Sequence, residues 1–108
     1  MPLLQPHRHR TAGRRGQVKQ GIRLQDAVAL VCHNKGLSEE ELLRGRSYRC
    51  VRARHLLWHL LRAAGWSGAE IAKGAGNWAP GTVQTAFRGP LHEQHRAEAN
   101  AYLNLLLR

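Results

Sequence analysis

The sequence predicts an all-α protein, a five- or six-helix bundle behind a basic N-terminal arm. Three observations carry this. Apolar residues recur at i, i+3 and i+4 in successive blocks, and no segment shows the alternation of a strand. A serine followed three residues later by glutamate opens two of the blocks, at Ser38/Glu41 and Ser67/Glu70; the two side chains satisfy each other's orphan backbone donors at a helix start. Glycine or proline separates the blocks, at Gly36, Gly65, Gly74, Gly76 and Gly89-Pro90. A chain of 108 residues suits one domain with a modest core.

Residues 1–21 hold Arg8, Arg10, Arg14, Arg15 and Lys19 with no acid, among prolines and glycines and without periodicity. That composition predicts an arm disordered when free. It either follows phosphates or is a solvated leader. Residues 22–108 then form the helical domain. Ile22 to His33 reads as the first helix, with an apolar stripe of Leu24, Ala27, Val28, Leu30 and Val31, ended by Asn34-Lys35-Gly36. Ser38 opens a short second helix through Leu43, whose three glutamates lie where the helix dipole favours them.

The sign of charge then reverses. From residue 44 to 54 the chain carries Arg44, Arg46, Arg49, Arg52 and Arg54 and no acid. Ser47 is a fitting N-cap for a long helix with Cys50 or Val51, Leu57, Leu60, Leu61 and Ala64 inside, ending at Gly65. Like charges this dense repel one another unless a polyanion neutralises them. The basic face of this helix extends through His55 to Arg62.

Ser67 to Arg88 parses as two short helices joined by a tight turn. The first meets Gly74 and Gly76, which stop helices. After Asn77-Trp78-Ala79, Pro80 sits at a first helical position, where its fixed φ and missing donor cost nothing. Val83, Ala86 and Phe87 form the buried face of the second helix, leaving Gly81, Thr82, Gln84, Thr85 and Arg88 outward. Such a unit over residues 67–88 is a helix-turn-helix, which lays its second helix in the DNA major groove; the alternative is a helical hairpin that only packs. A last helix, 91–107, is polar first and ends in Tyr102, Leu103, Leu105, Leu106 and Leu107. That end packs back onto the domain or forms a homodimer seam.

Composition restricts function further. Seventeen Lys and Arg against seven Asp and Glu give a net charge of +10, and all the cations except Lys19, Lys35 and Lys73 are arginines. This favours polyanionic partners recognised through forked guanidinium contacts. No apolar run approaches a membrane span, so no membrane partner is expected, and the place of action is cytoplasmic, at the nucleoid. Cys32 and Cys50 read as reduced thiols. His55 and His59 stand at i, i+4, but no further ligand has a zinc spacing, so no metal or other cofactor is expected. With no phosphate-binding glycine loop, nucleophilic triad or carboxylate pair, neither an enzyme nor a small-molecule substrate is expected.

With these elements in view, residues about 22 to 90 resemble the C-terminal DNA-binding domain (domain IV) of the bacterial chromosomal replication initiator DnaA. The matches are the Glu41-Leu-Leu before an arginine-rich loop, Val51-Arg-Ala-Arg-His55 opening a long helix, the Ser67-x-x-Glu-Ile71 start, and the Gly76 turn leading to Thr82-Val83. The resemblance implies a fold related to the Trp repressor class. It also implies Arg46 in a minor groove, Ser47, Arg54 and Arg62 beside phosphates, and Thr82 on the backbone at the recognition helix. Where the family has Arg-Asp-His-Ser/Thr, this chain has Trp78-Ala79-Pro80-Gly81, so the family's target sequence does not transfer. Gln84 and Thr85 remain to reach bases, and Trp78 either stacks or fills the core.

No Walker motif fits the chain, so the expected function is that of a stand-alone double-stranded DNA-binding protein. It would act as a regulator or accessory factor of replication or transcription, with a phage or other mobile element as one setting. The rival readings are an RNA-binding or ribosome-associated protein, and a protein-interaction adaptor that has lost base readout.

Overall fold

The computed structural model describes residues 18–19 and 22–107. Among these, six helices follow in order: α1 (Leu24–Lys35), α2 (Glu39–Arg44), α3 (Tyr48–Ala63), α4 (Gly68–Gly74), α5 (Pro80–Ala86) and α6 (His92–Leu106). The all-α class expected from the sequence holds. One local correction precedes α1, where β1 (Val18–Lys19) pairs antiparallel with β2 (Ile22–Arg23), Val18 opposite Arg23 and Lys19 opposite Ile22. Ile22 is therefore extended, not helical, and helix begins at Leu24. The rest of the expected arm, residues 1–17 and 20–21, lies outside the described residues.

The local signals in the sequence act as their chemistry requires. Ser38 and Glu41 close a reciprocal capping box on α2, and Ser67 and Glu70 do the same on α4. The Ser47 hydroxyl accepts the Cys50 backbone N–H at 3.2 Å to start α3. Pro80 stands in the first turn of α5, and Phe87 is the residue on which that helix stops.

α3 is the axis of the core and touches each of the other five helices. Leu56, Leu57, Trp58, Leu60 and Leu61 are buried in succession around it, which only a helix surrounded by neighbours can achieve. Each such leucine contributes about 1.5–3 kcal/mol by leaving water. Ile22, Leu24, Val28, Val31, Leu42, Ile71, Val83 and Ala99 complete the core from the other elements.

On α6 the burial is distributed differently from the residue types. His95 and Ala99 in its polar first half are buried, and Tyr102, Leu103 and Leu106 are packed at the core's edge. Leu105 and Leu107 face outward, because consecutive leucines cannot share one side of a helix. No described helix is long and apolar enough to cross a membrane.

Candidate nucleic-acid interface

The bend between α2 and α3 is held from behind. Gly45 at its centre donates its N–H to Glu41 O at 2.8 Å, and a Cβ there would lie 2.5 Å from Cys50 Sγ, so only glycine lets the bend fold this tightly. Arg54, one turn and a half into α3, turns inward beneath it. Its Nε donates to Leu42 O at 2.9 Å and its Nη2 to Gly45 O, and only 4% of the residue stays exposed. Burial pulls the guanidinium below its ordinary pKa, but an arginine keeps its charge in proteins.

The turn between α4 and α5 closes against the same place. Gly76 (φ 112°) and Asn77 (φ 59°) take left-handed backbone, and the Trp78 N–H donates to Ala72 O at 2.7 Å. This folds the Trp78 indole back edge-on to Trp58, with ring centres 6.2 Å apart. The Trp78 ring meets the Arg54 guanidinium at 4.8 Å and that of Arg44 at 5.9 Å. Trp78 thus fills the core's edge and also forms a wall of an open groove with Arg44, Gly45, Arg46, Val51 and Arg54.

α5 leads away from that groove. Thr82, Gln84, Thr85 and Arg88 are exposed along it, while Val83, Ala86 and Phe87 are buried. One of its polar side chains is already engaged, Thr85 Oγ1 donating to Gly81 O at 2.9 Å, and the Gln84 amide sits beside Gly68 of α4 without a bond to it. Arg62 of α3 reaches the far end of α5, its guanidinium 4.4 Å from the Phe87 ring centre.

Not all the predicted residues share this face. At 100° per residue, Arg49 and Arg52 lie on the side of α3 roughly opposite Val51 and Arg54. Arg49 Nη2 donates to Lys35 O at 2.7 Å and Gly36 O at 3.2 Å, tying down the end of α1. Arg52 lies over the Tyr48 ring at 5.6 Å. His55 stacks on Trp58 at 5.2 Å and meets His95 of α6, so it belongs to the seam between α3 and α6. Arg54 supports the bend from inside, and Ser47 spends a lone pair on its cap. The predicted residues that stay exposed outside these roles are Arg44, Arg46, Arg62, Gly81, Thr82, Gln84, Thr85 and Arg88.

Two features escaped the sequence reading. One is the pairing of Arg44 with Trp78; its signal was a tryptophan two residues after a turn glycine. The other is the histidine seam: His59 to His92, His59 to His95 and His55 to His95 have ring centres 5.1, 5.8 and 6.0 Å apart. Burial, above all, lowers the pKa of His55 and His95 and brings that of His59 to about 4. No group of three His, Cys, Asp or Glu side chains among the described residues is placed to hold a metal ion.

Protein-family models, curated proteins and solved structures yield no match to the chain. The likeness to DnaA domain IV rests on the residues of this chain and their order.

Proposed function

We propose that the chain is a double-stranded DNA-binding module that acts as a regulator or accessory factor of replication or transcription. In this reading α4 and α5 form a helix-turn-helix within a six-helix bundle. Arg46 enters a minor groove, α5 lies in the adjacent major groove, and Arg44, Arg62 and Arg88 lie along phosphates. The observation that supports it most is the groove in which Arg44 and Arg46 stand beside Trp78, directly before α5. A loop that flanks the start of an outward-facing polar helix with guanidinium groups suits backbone positioning on either side of a reading helix. The existing bond of Thr85 to Gly81 O favours modest base selectivity, since its hydroxyl must exchange an internal partner for a base edge.

Selection from a random duplex library at near-physiological salt tests this reading. The expected outcome is enrichment of a short motif, weakened when Arg46 is replaced by alanine. Enrichment of RNA over duplex of equal length in direct competition would transfer the site to RNA, and no retention of either would leave the adaptor reading.

A further inference from the structure

A second cationic region among the described residues is a cleft between the end of α1, the first half of α3 and α6. It is lined by Lys35, Tyr48, Arg49, Arg52, His95 and Glu98, over the apolar floor of Ala53 and Leu56, and has a volume of about 270 Å³. Three cations face one carboxylate, and that carboxylate is already taken: Lys35 Nζ lies 2.8 Å from Glu98 Oε2, and Tyr102 Oη donates to the same oxygen at 3.2 Å. The excess is therefore two positive charges in a concave site.

Two lining residues hold buried nitrogens without a hydrogen-bond partner, Nε of Arg52 and Nε2 of His95, and His95 is only 3% exposed. The Arg52 Nε–H left unpaired costs free energy that an acceptor recovers, and the His95 nitrogen takes a donor or an acceptor according to its tautomer. The Arg52 guanidinium has a ring beneath it and no ion pair among the described residues, so its fork is open to an oxyanion. The volume admits a phosphate group with a few further atoms and is too small for a duplex or a folded partner.

We infer that this cleft binds the phosphomonoester dianion of a small soluble molecule, with Arg52 as the principal contact and Lys35 and Arg49 as neighbouring charges. It is separate from the proposed DNA face, since Arg46 lines the other groove.

Glycerol 3-phosphate is the probe, with glycerol as the uncharged control, inorganic phosphate as the bare anion, and vesicles containing phosphatidic acid as the lipid-borne form of the same group. Titration of the full chain by calorimetry, with the His95 ring followed by NMR, should give saturable binding of one glycerol 3-phosphate per chain and a shift of the His95 signals. Inorganic phosphate should compete and glycerol should not. Arg52→Gln should weaken binding by about tenfold or more, the loss of one charge-assisted contact. Arg46→Ala should leave it unchanged. No saturable binding by the parent chain, binding to the vesicles alone, or equal weakening by Arg46→Ala would overturn the assignment. Should Arg52→Gln not fold, an unmoved His95 signal in the parent chain overturns it as well.

Discussion

The guanidinium of Arg54 lies 4.8 Å from the centre of the Trp78 indole, and this contact joins the bend before α3 to the turn before α5. The same guanidinium holds the carbonyls of Leu42 and Gly45. Two pieces of chain distant in sequence, the bend at Leu42 and Gly45 and the turn at Trp78, therefore share one buried cation. Truncating Arg54 to alanine orphans two carbonyls and empties the space beneath the indole, and should lower unfolding free energy by about 2–4 kcal/mol. Exposed Arg46, replaced the same way, should change it by less than about 0.5 kcal/mol while weakening duplex binding. Urea unfolding of the two variants checks this; equal stability losses would show that Arg54 does not hold the bend.

Gly76 and Gly81 should respond to alanine in opposite directions. At Gly76 the backbone has φ 112° and a Cβ would lie 2.5 Å from Trp78 Nε1, so Gly76→Ala should destabilise by about 1–3 kcal/mol and displace the turn. At Gly81, in the first turn of α5, nothing lies within 4 Å of a Cβ. Gly81→Ala should therefore stabilise by about 0.4–1 kcal/mol. If the start of α5 approaches a phosphate closely, the same variant binds duplex less tightly despite its greater stability. Thermal unfolding combined with a duplex titration separates the two effects.

What the sequence disclosed about this fold was local. Ser38/Glu41, Ser47 and Ser67/Glu70 fix helix starts through bonds three residues long and Pro80 through its fixed φ, and those starts are found where expected. The pair β1–β2 was illegible because two-residue strands have no periodicity to detect. The orientation of Arg54 was illegible for the opposite reason. With Leu56, Leu57, Trp58, Leu60 and Leu61 apolar on nearly every side of α3, no single stripe fixes the helix's rotation, and an arginine on it reads as solvent-facing by default. The separation of Arg49 and Arg52 from Arg46 follows from that same rotation.

The number of cations on the proposed DNA face sets its response to salt. Arg44, Arg46, Arg62 and Arg88 neutralising four phosphates would give a logarithmic slope of about −3.6, a loss of roughly 10²-fold between about 50 and 200 mM salt. A steeper slope would mean that residues 1–21 or the Arg49/Arg52 side also meet phosphates. Removing Arg49 and Arg52 together should leave the slope unchanged if those residues face away, and fluorescence anisotropy across the salt range measures it.

The seam between α3 and α6 should make stability depend on acidity. His59 Nε2 donates to Ala86 O at 3.3 Å, so in its neutral form the ring bridges α3 to the end of α5. Around the seam stand Lys35 from α1, Arg52, His55 and Arg62 from α3, and His92, Glu93, His95, Arg96 and Glu98 from α6, mostly cations or groups that become cations. Burial, opposed by the Ala86 bond and reinforced by His92, His95 and His55, lowers His59 from 6.5 to about 4, and His55 and His95 shift in the same direction. The unfolded chain thus binds protons that the folded chain refuses, and stability is complete above pH 6.5 and declines as the pH falls toward 4. His59 alone would contribute a decline on the order of 3 kcal/mol across that window. Urea midpoints measured at intervals through it should fall steadily for the parent chain and less steeply for His59→Gln, whose side chain bears no titrating proton. A flat parent curve would mean that the seam opens to water without cost.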